Sequence, residues 1–316
     1  INRLSQPKSM LTSLAPARAP VQPSAMSNAA KVRVVLAPNP SAMTGPGTNS
    51  FLIGQEEIAV IDPGPDDPAH IRAILDTAEG RISHILVTHA HLDHSAGVAR
   101  LAEATGAPVF AYGPADSGRS PGMARLAQTG LAGGGEGIDL AFRPDIPLRH
   151  GEVLQSAEWT IEALHTPGHM GGHLSFRLGD AVFCGDLVMG WSTTLISPPD
   201  GDLVDYFRSL DLLAGMAPRV LYPAHGDPVT DPLPRLAELA AHRRHRTGQI
   251  LSALDQAGGT AADLAARIYA VPQHLMPAAE RNVLAHLLAL ADLGVVACDG
   301  TPGAGARWHR PAVAEG

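Results

Sequence analysis

Cysteine, lysine and aromatic side chains are all scarce in this chain, and each shortage excludes something. Its two cysteines, Cys184 and Cys298, stand far apart in 316 residues. They form neither a disulfide framework nor a close-spaced thiolate zinc site. Lysine occurs only at Lys8 and Lys31, so nearly all the positive charge is arginine. With 23 basic against 31 acidic residues, the net charge of −8 excludes a surface built as a whole to bind polyanions. Aromatics make up 4% of an Ala-, Gly- and Arg-rich composition, which reads as genome bias without functional content. No apolar run approaches transmembrane length. Residues 1–30 hold Ser, Pro and Arg but no acid, and they lack the apolar stretch of a secretory signal. A transit peptide is the superficial match, but the prolines oppose its amphipathic helix. The reading is a disordered leader, vector-derived or upstream of Met26, on a cytoplasmic protein.

What is present is enough chain for one large core and a smaller unit. Short β-branched runs bounded by Pro and Gly predict strands at Val32–Leu36, Asn49–Ile53 and Ile58–Ile61, then at residues 82–88 and 108–112. Apolar spacing predicts helices over Pro68–Ala78 and residues 95–105. Gly130 to Gly137 reads as a glycine-rich loop, since the Lys-Ser/Thr of a phosphate-cradling loop does not follow it. A second strand-rich stretch runs over residues 153–222, with a helix at 203–213. The pattern suits two sheets packed face to face with helices outside. After Pro234 three helices (235–254, Ala261–Ile268, 278–293) and a hairpin (295–298, 306–309) read as a winged-helix-like unit. That unit carries a net charge of +1 against −9 for the remainder, so it is less acidic but not basic.

The chemistry concentrates in Thr88-His-Ala-His-Leu-Asp-His94, directly after a strand. A strand running into a tight loop can aim His89 and His91 at one point and Asp93 and His94 at a neighbouring one. Imidazole and carboxylate suit borderline divalent metals, and two such clusters a few Å apart make a binuclear site. Thr166-Pro-Gly-His169, Phe183-Cys-Gly-Asp186 and Tyr222-Pro-Ala-His225 each place a further donor at a strand end. Singly each is weak; jointly they complete seven ligands, enough for two metals sharing one carboxylate.

With these motifs the chain resembles the metallo-β-lactamase superfamily over about residues 32–230. The resemblance implies a four-layer αβ/βα sandwich, an α/β fold, followed here by the small winged-helix-like α+β domain. The corresponding division is a leader over 1–30, a catalytic domain over 31–234 and a C-terminal domain over 235–316. It also implies that His89, His91 and His169 hold a first metal and that Asp93, His94 and His225 hold a second, with Asp186 bridging. Asp62, in Val60-Ile-Asp-Pro-Gly, would orient ligand imidazoles, with a turn cap as the alternative. Gly47-Thr-Asn-Ser-Phe-Leu, His169-Met-Gly-Gly-His173 and the segment from Pro199 to Leu210 look like the β-lactamase-like protein 2 group, as does the C-terminal domain. The presence of Asp186, with Cys184 outside the ligand pattern, argues against β-lactam turnover.

The implied enzyme is a hydrolase in which two divalent ions, Zn²⁺ by default with Mn²⁺ or Fe as alternatives, lower the pKa of a shared water to around 7. Its substrate would be a phosphodiester in single-stranded RNA or a small ester, thioester or lactone. A glyoxalase II-type thioesterase and a winged-helix nucleic-acid-binding protein with a structural or silent metal site are the alternatives. Asp93 and His173 are the catalytic candidates; His173 would protonate the leaving group or hold a substrate oxygen, or else be a solvent-facing strand histidine. Trp191, Ser192 and Thr193 would line the mouth, Trp191 by stacking or by packing alone. His242-Arg-Arg-His-Arg246 reads as a solvated helix face, with a phosphate-contacting patch as the sharper alternative. No reading of double-stranded DNA and no membrane contact is expected, and homo-oligomerisation stays open.

Overall fold

The computed structural model describes residues 31–131, 133 and 137–311. The expected leader (1–30) and residues 132 and 134–136 of the glycine-rich loop lie outside them. Strands β1 (Val32–Leu36), β2 (Asn49–Ile53) and β3 (Ile58–Ile61) begin and end where the Pro- and Gly-bearing breaks predict. With β4 (Ile82–Leu86), β5 (Val109–Ala111) and β6 (Ile146–Pro147) they form a six-stranded sheet in chain order, antiparallel up to β3 and parallel beyond it. A second sheet contains β7 (Val153–Gln155), β8 (Thr160–His165), β9 (Leu174–Leu178), β10 (Ala181–Gly185) and β11 (Val220–Pro223), with only β10 and β11 parallel.

The period-two alternation of strand side chains builds the layers. Phe51 and Ile53 enter the space between the sheets and meet Phe176 and Phe183, while Leu52 turns the other way, toward Ile71 and Ile74 of helix α1 (Pro68–Ala78). On the far side, helix α5 (Leu203–Met216) covers Leu164, Val182 and Leu221. The result is helix, sheet, sheet, helix, the four-layer fold.

The helix expected over 95–105 is in fact two, α2 (Leu92–Ser95) and α3 (Val98–Thr105). Gly97 explains the break: its amide donates to the Gly64 carbonyl, and a Cβ there would sit 2.8 Å from Ile71 and 3.0 Å from the Pro65 oxygen. The two backbones touch, so the chain must turn away from regular helix. Helix α4 (Pro121–Ala127) escaped the periodicity reading because seven residues are too few to show it, although Ser120 and Pro121 form a start signal. Its Met123 and Leu126 are buried in the C-terminal core.

That core is built by α6 (Pro232–Gln256), α7 (Ala261–Ile268), a 3₁₀ turn (Gln273–Leu275), α8 (Met276–Asp292) and the hairpin β12 (Ala297–Asp299) and β13 (Arg307–His309). Thr260 and Asp263 cap α7 reciprocally, and Trp308 is enclosed at the centre. Helix α6 crosses the boundary expected at 234/235: Leu236 and Leu239 pack on the catalytic layers, Ile250 and Leu254 in the C-terminal core. The basic run on this helix is only in part the solvated face expected of it, with Arg244 and His245 exposed. Arg243 is only 1% exposed, Arg246 lies 3.8 Å over the Tyr269 ring and Arg244 lies 5.4 Å over that of Phe207. Because α6 is covered along one side by two cores, a run spread around its circumference must send one arginine inward.

His286 on α8 shares that interior. Its Nδ1 lies 2.9 Å from Thr247 Oγ1, and burial, reinforced by the positive Arg243, Arg246 and His242, holds its pKa well below 6.5. A histidine depressed on folding takes up protons more readily when unfolded, so it costs no stability above pH 6.5 and a growing amount as the pH falls. The slope for one such group reaches about 1.4 kcal/mol per pH unit. Thermal unfolding midpoints are therefore expected to fall from about pH 7 to about pH 5, and to fall less steeply in His286→Gln. Parallel slopes would exclude His286 as a source.

Candidate metal centre

All seven expected ligand side chains converge at one edge of the sandwich, where the strand ends deliver them. Their donor atoms form three groups, each within 4.8 Å: His89 with His91 and His169, His89 with His94 and Asp186, and Asp93 with His94 and His225. His91 Nδ1 lies 2.9 Å from His89 Nε2 and 3.0 Å from His169 Nε2. Asp186 faces both halves, one oxygen 3.5 Å from His94 Nε2 and 3.3 Å from His225 Nε2, the other 3.6 Å from His169 Nε2.

Partners on the outer ring nitrogens set the tautomers. His94 Nδ1 donates to Asp62 at 3.0 Å, His169 Nδ1 to the Leu195 carbonyl at 2.8 Å and His225 Nδ1 to the Gly47 carbonyl at 3.2 Å. Thr88 Oγ1 donates to Asp62 at 2.8 Å and accepts from His89 Nδ1 at 3.0 Å. With Nδ1 bonded outward, each of these rings turns Nε2 toward the centre. Asp62, in a left-handed conformation (φ 52°), thus supports two ligands, one directly and one through Thr88.

The electrostatics divide the site. Burial pushes the His91 pKa down to about 3, with His169 adding to the effect, and burial likewise lowers His89 and His169. These three are neutral imidazoles, the form that binds metal. Burial also opposes charge on His225 and His94, but the carboxylates outweigh it: Asp186 and Asp93 carry His225 up to about 10 and also raise His94. Burial works against Asp93 and Asp186 too, yet His94 and His225 hold both carboxyls well below their usual range. Asp93 Oδ1, His94 Nε2 and Asp186 Oδ1 are buried without a hydrogen-bond partner. Buried carboxylate oxygens without a hydrogen-bond partner are what a cation would satisfy, displacing the protons that the carboxylates draw onto His94 and His225, so the donor set fits divalent metal.

His173 does not stand where a proton donor to substrate must. It is fully buried; Nε2 accepts the Asp186 amide proton at 3.2 Å and Nδ1 donates to Thr166 Oγ1 at 3.0 Å. Neither nitrogen reaches the cavity, and it is not a solvent-facing strand residue either. The Thr166-to-His173 loop folds the ring under the strand end carrying Asp186. Cys184 is likewise apart from the ligands, its thiol 3.6 Å from the Val188 carbonyl and its pKa pushed up by burial.

A cavity of about 230 Å³ opens on His91, Asp93, His169, Asp186 and His225. Trp191, Ser192 and Thr193 line it, and Trp191 is 47% exposed. The indole lies over Gly45 and Gly226, where a Cβ would come within 2.7 and 2.8 Å of the ring. The opposite wall was not legible from the motifs. It comes from the C-terminal helices and the loop between them: Tyr269, Val271, Leu275, Ala278, Ala279 and Asn282. Thr88 was also missed, though its place directly before His89 was the available signal.

Comparison with known proteins agrees with this geometry. Residues 43–225 match the metallo-beta-lactamase superfamily model and residues 260–308 the beta-lactamase associated winged helix domain. A Drosophila melanogaster protein, beta-lactamase-like protein 2 homolog, is 30% identical over 275 residues, covering 82% of this chain and 87% of its own. An atrochrysone carboxyl ACP thioesterase from Aspergillus chevalieri is 31% identical over 246 residues, covering 75% of this chain and 70% of its own. The crystal structure of a metallo-beta-lactamase family protein from Thermus thermophilus superposes with a TM-score of 0.71 at 28% identity, over 89% of this chain and 98% of that one. The cluster of seven His and Asp side chains at the sheet edge, the layered sheets beneath it and these matches lead to one conclusion: the chain belongs to the metallo-beta-lactamase superfamily and is a metal-dependent hydrolase with a C-terminal winged-helix domain.

Proposed function

We propose that this hydrolase holds two divalent ions, Zn²⁺ in the first instance, and cleaves a small ester, thioester or lactone with an apolar acyl group rather than an RNA phosphodiester. The observation carrying this reading is the cavity wall. Among the described residues, no Arg or Lys lines it, and Met43, Met189, Trp191, Leu195, Val271 and Leu275 supply apolar surface beside the carboxylates. Beyond the ions themselves, a polyanionic strand finds no basic side chain along that wall, whereas an acyl chain gains about 0.8 kcal/mol per methylene buried. The name of the Aspergillus relative, a thioesterase, points the same way.

His89, His91 and His169 would hold one ion, Asp93, His94 and His225 the other, and Asp186 both. Bound there, the ions supply a water acidic enough to attack at neutral pH and positive charge for the developing oxyanion. The protein orients the ligand rings through Asp62, Thr88, Leu195 and Gly47, and the apolar wall excludes bulk water from the acyl group. Asp93, whose Oδ2 lies 3.2 Å from His225 Nε2 and accepts from Thr48 Oγ1 at 3.3 Å, would act as a ligand and not as a base, because His94 and His225 hold its carboxyl well below the usual range.

The test is a parallel assay of metal-loaded protein on acyl thioesters of increasing length, a lactone, single-stranded RNA and a β-lactam, with Asp93→Ala as control. The expected result is thioester turnover with kcat/KM rising about fourfold per added methylene until the cavity is full, and none in the control. RNA cleavage that Asp93→Ala abolishes, with thioesters untouched, would replace this reading with the nuclease one.

A further inference from the structure

The catalytic layers do not by themselves orient one of the expected metal ligands. His169 is held on its outer nitrogen by the loop after Asp186: Nδ1 lies 2.8 Å from the Leu195 carbonyl and 3.0 Å from Thr194 Oγ1. That loop is in turn held from α6 and α8. Arg243 donates to the Thr194 carbonyl and, at 3.0 Å, to Asn282 Oδ1, and the same Oδ1 accepts the Ile196 amide proton at 3.2 Å. Both attachments flank Leu195 and so clamp the backbone unit that meets His169.

We propose that Arg243 and Asn282 are positioning residues for the metal centre, through which the C-terminal helices set the angle of His169. This inference rests on the reading of His89, His91 and His169 as one metal site. A buried guanidinium without a carboxylate is costly and persists only where other groups compensate it. Here the Thr194 carbonyl, the Asn282 side chain and the Tyr206 ring, 5.4 Å away, do so, and among the described residues no acid forms an ion pair with Arg243. Two of those three compensating groups lie on the path to His169. A cation serving only to staple helices would need neither the Thr194 carbonyl nor an asparagine shared with the Ile196 amide.

The test uses the full chain, stripped of metal and titrated with Co²⁺ against a chelator of known affinity, following the visible band of the bound ion. Arg243→Met and Asn282→Ala are each expected to weaken one of two stepwise affinities about 10- to 100-fold, the usual cost of losing a residue that orients a ligand. The other affinity is expected to stay near wild type, and Arg243→Lys to recover part of the loss. Arg244→Ala, on the same helix but exposed, is expected to match wild type. Wild-type affinities in both folded variants would overturn the proposal, as would an equal fall in both affinities with a lowered melting temperature, the mark of a scaffold role. Should Arg243→Met not fold, Asn282→Ala decides alone. Failure of the wild type to bind cobalt would instead overturn the metal-centre reading on which the proposal rests.

Discussion

Replacing Asp186 with asparagine is expected to reduce kcat about a thousandfold and to leave the purified protein with fewer than two ions per chain. The carboxylate is isosteric with the amide, so packing survives and the loss is electronic. One Asp186 oxygen faces His94 and His225, the other faces His169, and on the two-ion reading proposed above both must be acceptors for a cation on each side. An amide offers one oxygen and one NH₂ group, whose protons would point at one of the two positions. Losing the charge stabilisation of one ion costs several kcal/mol, and about 4 kcal/mol corresponds to a thousandfold. Steady-state kinetics and elemental analysis on the same preparation check this. Two ions per chain with an undiminished rate would show that Asp186 lies beside the chemistry and takes no part in it.

The second large effect is expected on stability. Asp62→Ala should lower the unfolding free energy by about 3–5 kcal/mol, the typical cost of removing one partner from a buried charged network. Asp62 accepts from the Thr88 amide and Thr88 Oγ1, both at 2.8 Å, and from His94 Nδ1 at 3.0 Å. Alanine strands all three donors in the interior and also tolerates the left-handed backbone less well. Asp62→Asn keeps an acceptor and suits that backbone, so it should lose less stability while still weakening metal binding, because the His94 proton no longer meets a charge. Urea unfolding of the metal-free proteins measures the first effect, with a shifted midpoint at constant slope. A loss under about 1 kcal/mol for the alanine variant would reduce Asp62 to a turn residue, the alternative its Ile-Asp-Pro-Gly setting allowed.

Much of this site was readable because its parts are local. His89, His91, Asp93 and His94 sit within six residues after an apolar strand, and His169, Asp186 and His225 each lie within four residues past the end of a short strand. A strand terminus places its last side chains at the sheet edge whatever surrounds it, so motif and position carry over together. The first three strands matched their predicted limits for the same reason: Pro and Gly stop a strand through their own backbone restrictions. His173 shows where that logic stops. Spacing put it near the ligands, but whether its ring faced the cavity or the Asp186 amide depended on how the Gly168–Gly172 loop folded back.

The amino-acid sequence by itself determined the candidate ligand set, the layered class of the fold and the existence of a helical C-terminal unit, since each is written in short-range pattern. Only the tertiary structure decided what closes the cavity and what steadies His169. The Thr194–Arg243 bond spans 49 residues and the Ile196–Asn282 bond 86. Contacts over such separations follow from which faces of α6 and α8 must be buried against the sandwich, and that burial is a property of the packed whole that no window of residues contains.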